Sequence, residues 1–498
     1  MKSTVLDRNL AKPITPKPHF LDGVAERAVR HRLGGITHGA LVLSDGSSVE
    51  HYGKRTERCP LSVTVRVHDP RFYSDIAFGG SIGAGEAYMQ GYWSVDDLTA
   101  LMRILLQNRD VLDGMEQGLA RLLTPLQKAL HWTSRNTRGG SRRNIEAHYD
   151  LGNEFFQLFL DPTMMYSSAV FERADMTLEE ASTAKLDRIC RKLDLKPSDR
   201  VMEIGTGWGG FAMHATRHYG CHVTTTTISP AQHALAKSRI AAAGLSERIE
   251  LLLTDYRDLT GQYDKLVSIE MIEAVGHQYY DAYFQKCSEL LKPEGAMLLQ
   301  AITIADQRYE AAKKSVDFIQ RYIFPGSCIP SVTAISDAVA RVTDMRVYHL
   351  DDIGPHYAIT LRRWRENCEA KVDQIRALGY PDTFIRMWAF YLCYCEGGFM
   401  ERVIGDVQML LVKPQARPEP VLAVSLLAQY LPGDNQLLNF AGAFVNSQRS
   451  NLAIQPLDRA ADRHTQPAKQ LHRGIDDALR GLGGVQLGHR GLQRDAIS

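Results

Sequence analysis

The alternation of apolar and polar positions changes character along the chain, and each change predicts an element. Residues 61–67 read Leu-Ser-Val-Thr-Val-Arg-Val, the two-residue period of a half-buried strand. Residues 79–93 read as a glycine-rich turn, then a short helix ending in exposed aromatics. From about 200 to 360, continuous apolar runs alternate with helical stretches, and strands are predicted at 200–204, 222–228, 248–254, 265–270 and 296–304. A helix over 230–243 begins at Pro230 after Ser229, a good N-cap. This alternation predicts a doubly wound α/β sheet. The insertion at 306–330 carries Tyr309, Phe318, Tyr322 and Phe324 and follows the C-terminal end of a strand, where such insertions cover a ligand crevice. Past Pro414 the composition shifts toward Gln, Arg, Gly and Asp, and no aromatic follows Phe444, so 415–498 is expected to be a poorly ordered tail.

The second predicted strand decides what the sheet handles. Residues 201–210 read Val-Met-Glu-Ile-Gly-Thr-Gly-Trp-Gly-Gly, a strand turning sharply into a helix. Bare glycine backbone at Gly205 and Gly207 lets a ligand lie where a Cβ would intrude, and amides at the helix start face the same crevice. A dinucleotide fold would place an acid about 20 residues on to hold the ribose. The strand there, Cys221-His-Val-Thr-Thr-Thr-Thr-Ile-Ser229, carries none. NAD is disfavoured, and another adenosine cofactor leads.

Composition adds boundaries. A chain of 498 residues with 44% hydrophobic and 23% charged residues holds two or three globular domains. A formal charge of +1 supplies no global field for nucleic acid, and no nucleic-acid partner is expected. Residues 1–19, punctuated by Pro13, Pro16 and Pro18, read as a flexible N-terminus without the apolar core of a signal peptide. No stretch reaches the ~18 apolar residues of a membrane span. Eight cysteines without a framework point to free thiols and the cytosol. A basic linker at 126–146 carries Arg135, Arg138, Arg142 and Arg143 beside Trp132. It reads either as a solvated loop or as a segment resting on the inner face of an anionic membrane, each cation contributing about 1 kcal/mol.

Several stretches, taken together and in order, are more specific. His148-Tyr-Asp-Leu-Gly-Asn-Glu-Phe-Phe156 precedes Met165-Tyr-Ser-Ser-Ala-Val-Phe171, the glycine loop, Thr227-Ile-Ser-Pro-Ala-Gln232 and Asp255-Tyr-Arg-Asp258. Ile272-Glu-Ala-Val-Gly276, Tyr322-Ile-Phe-Pro-Gly326 and Tyr391-Leu-Cys-Tyr-Cys-Glu-Gly-Gly-Phe399 follow. The series resembles the cyclopropane-fatty-acyl-phospholipid synthases and their mycolic-acid-modifying relatives, over roughly 60–414. The resemblance implies a Rossmann-like class I methyltransferase domain at 147–414 with its lid at 306–330, and a smaller lipid-binding domain at 20–125. It implies S-adenosylmethionine held by Tyr166 and Ser167, by Val201, Met202, Glu203, Ile204, Gly205, Thr206, Gly207, Trp208 and Gly209, and by Thr227, Ile228, Ser229, Pro230, Ala231 and Gln232. Tyr256 and Arg257 would flank the adenine, and Asp255 would accept from its amine.

The implied reaction adds the sulfonium methyl to an acyl-chain double bond, and a base then removes a proton from the added methyl to close a cyclopropane. Aromatic faces stabilise the intervening cation by about 0.5–2 kcal/mol each, and Tyr279, Tyr280, Tyr309, Phe318 and Tyr322 are available. In the family the base is a bound bicarbonate; the matching positions here are Ser168, Glu273, Gln300, Ile302 and Tyr357. Ser168 stands for a cysteine and Gln300 for a histidine, so ring closure is the step put in question, while Glu273 is the acid expected to matter most for proton transfer. Cys395 matches a cysteine once proposed as essential but lies in an apolar run without a neighbouring cation, and reads as packing. If the base instead removes a proton from a neighbouring chain carbon, the product is methylene- or methyl-branched, completed by a partner reductase. A third reading is a non-catalytic member that binds lipid or cofactor. Unsaturated phospholipids of an anionic membrane are the expected partners, and a homodimer is among the assemblies the sequence allows.

Overall fold

The computed structural model describes residues 20–117 and 151–418. The expectations for the N-terminus, the basic linker at 126–146 and the tail from 419 lie outside those residues.

The second half carries a seven-stranded sheet in the order β10-β11-β9-β8-β5-β6-β7. Its strands are β5 Arg200–Ile204, β6 His222–Thr227, β7 Ile249–Leu253, β8 Tyr263–Ile269, β9 Leu291–Ile304, β10 Arg346–Asp352 and β11 Ile404–Val412. Strands β5 to β9 run parallel, while β11 pairs antiparallel with both β9 and β10. The sheet turns outward in both directions from β5, and the crevice at that switch point receives the ligand in open α/β sheets. All five predicted strands are present within a few residues. Strands β10 and β11 were not foreseen, because Asp406 and Gln408 interrupt the apolar run of β11 even though both side chains are buried.

The first part forms a four-stranded sheet, β2-β1-β3-β4, of Gly39–Ser44 (β1), Val49–Lys54 (β2), Ser62–Val67 (β3) and Trp93–Val95 (β4). The segment around 79–93 departs from expectation. Its residues to Met89 belong to a helix, Arg71–Met89, kinked at Gly80 (φ 57, ψ −137), and of its aromatics Tyr88 and Trp93 are buried and Tyr92 is half-buried. Gly83 is required there, since an added Cβ would stand 1.9 Å from the Asp75 carbonyl oxygen. Trp93 is 3% exposed and its indole N–H donates to the Ala84 carbonyl at 3.0 Å.

The two sheets do not own separate cores. The helix Asp382–Met400 packs against Leu98–Gln107 and Arg71–Met89 on one side and Gly354–Ala370 on the other, and one apolar cluster runs from Phe72 and Trp93 to Trp364 and Trp388. At the seam Glu396, 1% exposed, accepts from Thr99 Oγ1 (3.0 Å), Arg362 Nε (2.9 Å) and Arg365 (3.3 Å). Such a buried carboxylate persists because each oxygen is paired. The described residues form one compact unit, and just past 414 the Gln415 amide still donates to the Pro293 carbonyl and Ala416 is buried. All eight cysteines are free thiols. No helix among the described residues is long and apolar enough to cross a membrane.

Candidate active site

The glycine loop leaves β5 through three left-handed residues, Gly205 (φ 106), Gly207 (φ 52) and Gly209 (φ 86), before the helix Gly210–Tyr219 begins. A Cβ at Gly207 would meet nothing within 4 Å, because the loop borders a cavity of about 780 Å³. The loop is pinned from behind. Arg239 donates to the Trp208 carbonyl (2.7 Å) and the Pro162 carbonyl (2.8 Å), and the Trp208 indole donates to Asn153 Oδ1 (2.7 Å). At Gly210 a Cβ would fall 2.6 Å from the Met165 sulfur. The stretches around Asn153 and Met165, far from the loop in sequence, thus buttress it.

Of the residues expected at the cofactor, Tyr166, Ser167, Glu203, Ile204, Gly205, Thr206, Gly207, Trp208, Thr227, Ile228, Gln232, Tyr256 and Arg257 line the cavity. Val201 and Met202 do not; both are fully buried within the sheet. Gly209 and Ser229 are helix caps, and Pro230 and Ala231 form the first turn after Ser229. Thr227 Oγ1 bonds to Gln232 Oε1 at 2.9 Å and Asp255 is paired to Arg257 at 2.6 Å, so these residues order one another at the rim. Glu203 accepts from Thr225 Oγ1 at 2.6 Å, and burial pushes its carboxyl up to about 8. An open glycine cradle with an acid at the strand end and polar side chains opposite fits an adenosine cofactor.

The other end of the cavity is acidic and aromatic. Glu273, Ile302 and Tyr357 line it as expected, and the Ile302 amide donates to Glu273 Oε1 at 2.6 Å. Glu273 Oε2 has no partner, and burial together with neighbouring Glu270 raises the carboxyl to about 8. Ser168 and Gln300 are fully buried beside the cavity and turned toward a residue that the sequence reading passed over. That residue is Glu270, at the end of β8. Its Oε1 accepts from the Ser168 amide (2.8 Å) and Gln300 Nε2 (2.8 Å), and its Oε2 from the Tyr357 hydroxyl (2.6 Å). Burial raises Glu270 above the ordinary carboxylate range against the opposing pull of Tyr357, Ser168, Lys185 and Gln300. Behind it, Asp406 Oδ2 holds Gln300 Nε2 at 3.0 Å, and burial beside Glu270 drives Asp406 well up. Lys185, fully buried, donates to Ser167 Oγ at 2.7 Å, and burial lowers its ammonium to about 8.

Two expectations are corrected. Tyr279, Tyr280, Tyr309, Phe318 and Tyr322 do not line the cavity; Phe318 packs on Phe390 and Tyr322 bonds to Glu86. The aromatic wall instead includes Tyr166, Trp208, Phe324, Tyr357, Tyr391, Tyr394 and Phe399. Cys395 does line the cavity rather than serving only as packing, although burial pushes its thiol up and leaves it unreactive. Glu270 and Asp406 carried a weak signal: polar residues inside or at the end of strands whose neighbours are all apolar. Arg308, Ala311, Ser315, Phe324 and Cys328 of the 306–330 insertion line the cavity.

Residues 136–409 match the family described as mycolic acid cyclopropane synthetase. The chain is 39% identical to the tuberculostearic acid methyltransferase of Mycobacterium tuberculosis, over 82% of this chain and 97% of that protein. It is 38% identical to the cyclopropane-fatty-acyl-phospholipid synthase of Escherichia coli, over 69% and 86% respectively. Among solved structures, a mycolic acid cyclopropane synthase complexed with SAH and CTAB aligns over 55% of this chain and 98% of its own, at 33% identity and a TM-score of 0.52. With the glycine cradle, the acid cluster and these likenesses in agreement, the chain belongs to the mycolic acid cyclopropane synthetase family and is an S-adenosylmethionine-dependent methyltransferase.

Proposed function

We propose that this enzyme adds a methyl group to the double bond of an unsaturated phospholipid acyl chain and releases a methylene-branched or methyl-branched unsaturated chain, which a partner reductase would saturate. The observation that carries the reading is the continuity of one cavity from the glycine cradle, through an apolar aromatic chamber, to two arginines, Arg109 and Arg308. Neither arginine has an ion pair among the described residues, and Arg109 is lowered first by burial and then by nearby Arg308, against the pull of Asp113. An acyl chain suits the aromatic chamber, and a phosphodiester suits the arginine pair.

Bound S-adenosylmethionine supplies the methyl on a sulfonium. The chain's own residues do the rest. Gly205 and Gly207 admit the cofactor, while Gln232, Asp255 and Tyr256 hold its adenosine end. Tyr166, Phe324, Tyr391 and Phe399 present ring faces to the carbocation, at about 0.5–2 kcal/mol each. The lid excludes water, which would trap the cation as an alcohol. The branched product is favoured by the departures at Ser168 and Gln300 and by the relative named for tuberculostearic acid, whose length is almost wholly matched. The cyclopropane product is the second reading, favoured by the family's name and the Escherichia coli relative.

Expression in a bacterium lacking such enzymes, followed by mass spectrometry of the fatty acid methyl esters, tests both. Each product gains one CH2 over its parent. Ozonolysis then cleaves a methylene branch to a ketone and spares a cyclopropane. A ketone supports the branched reading, an intact ring the second, and no new ester would refute the acyl-chain substrate.

A further inference from the structure

We infer that the Glu270 carboxylate is itself the base that takes the proton released after methyl addition, so that the enzyme turns over without bound bicarbonate. The inference rests on the methyl-addition reading above and deepens it.

The first support is occupancy. The donors expected to hold a free anion are already committed: the Ser168 amide, Gln300 Nε2 and the Tyr357 hydroxyl to Glu270, and the Ile302 amide to Glu273 Oε1 at 2.6 Å. A bicarbonate entering here would find the Glu270 carboxylate already seated on the donors and no open donor among these four groups, and like charges at contact repel. The second is geometry. A carboxylate offers about four acceptor positions. Two donors sit on Oε1 and the Tyr357 hydroxyl on Oε2, and Asp406 also hydrogen-bonds the carboxyl, so Glu270 is held fast where it lines the cavity. The third is strain. Glu270 has φ 49, in the left-handed region that residues with a Cβ avoid at a cost of about 1–3 kcal/mol. Such a conformation persists where the side chain is tied on both oxygens, as it is here. Lys185 places the compensating positive charge nearby.

The step balances. The methyl leaves sulfur with the C–S bonding pair remaining on sulfur, and the alkene supplies the pair for the new C–C bond. One chain carbon is left a carbocation. A C–H bond then breaks, its electrons neutralise the cation as a double bond or a third ring bond, and the proton bonds to Glu270 Oε2. Nothing is oxidised or reduced. The proton passes to solvent when the products leave.

Three measurements test this. Wild-type turnover in carbonate-free buffer should be unchanged on adding bicarbonate. Glu270→Gly suits the left-handed backbone and empties the anion position, and it should lose activity about 10²-fold or more and regain part of it with bicarbonate. In the absence of cofactor and lipid, 13C-bicarbonate alone should bind Glu270→Gly and not the wild type, as read by NMR. Glu270→Gln, which keeps the side chain's size, should lose activity and show no rescue. Bicarbonate-dependent wild-type turnover, bicarbonate binding to the wild type, or full activity in Glu270→Gln would overturn the assignment. Calorimetry with S-adenosylmethionine separates the two layers: failure of the wild type to bind it would overturn the methyl-addition reading and leave the anion site to the NMR result.

Discussion

The two ends of the cavity are built on different principles. At the cofactor end, conformation does the work: three left-handed glycines expose backbone, and the side chains around them (Thr227 with Gln232, Asp255 with Arg257) satisfy one another. At the acid end, side chains do the work: Glu270, Glu273 and Asp406 crowd together with Lys185, and their ionisation is set by burial and by one another. A backbone cradle needs little from the rest of the molecule beyond a strand and a helix. The acid cluster needs β8, β9, β11 and the helix Gly354–Ala370 in register at once. Loss at the first end should therefore appear in binding, and loss at the second in turnover and stability.

The largest effect should come from the seam supporting the acid end. The helix Asp382–Met400 carries Tyr391, Cys395 and Phe399 into the cavity and is held by Glu396. Glu396→Ala leaves Arg362 and Thr99 without this acceptor and Arg365 with only Glu369, and should cost about 3–5 kcal/mol, read as a lower urea midpoint. At sub-denaturing urea the variant should still bind S-adenosylmethionine. Equal loss of binding would mean that the two ends are not separable.

Gly207→Val probes the opposite end. The new side chain would project into open cavity at a position with φ 52, so affinity for S-adenosylmethionine should fall about 10²-fold or more while most of the fold's stability remains. Unchanged affinity by calorimetry would remove the cofactor from this loop.

A smaller effect is expected where the cavity meets Arg109 and Arg308. Replacing both with Gln should raise the KM for an anionic phospholipid about tenfold and flatten its salt dependence, leaving kcat nearly unchanged. A change confined to kcat would place the arginines at the chemistry instead.

The smallest concerns pH. Burial raises the pKa of Glu273 in the folded protein to about 8 from the ordinary 4.5 of a free glutamate side chain. The folded protein thus binds this proton more tightly than the unfolded chain. The associated stability is fully present below pH 4.5 and is lost as pH rises through about 8. Glu273→Gln should flatten the fall in Tm across that window by on the order of a few degrees. A parallel slope in the variant would show that Glu273 does not carry the raised pKa.

The same contrast explains which parts were readable from residues alone. Glycine spacing at Gly205 and Gly207 and the missing acid between His222 and Thr227 are local signals, and they located the cofactor end. Strands β5, β8 and β9 were readable from buried apolar residues, β6 from its buried β-branched run at 223–227, and β7 from the apolar residues around Glu250. Strand β11 was not, since Asp406 and Gln408 look like surface residues until Gln300 is known to face them. Glu270 was missed for the same reason. Its meaning depends on Ser168, Gln300 and Tyr357, which lie 102, 30 and 87 residues away. The aromatics of the lid were misplaced because richness in aromatic residues does not say which face of a short helix turns inward.

The account turns on the independence of the two ends, and one paired measurement on Glu270→Gln tests it most directly: S-adenosylmethionine affinity by calorimetry beside the single-turnover rate on phospholipid vesicles. The account predicts an unchanged Kd with a rate lowered about 10²–10⁴-fold, the usual cost of losing a general base. A Kd that falls in step with the rate, or a rate that stays at the wild-type value, would contradict it.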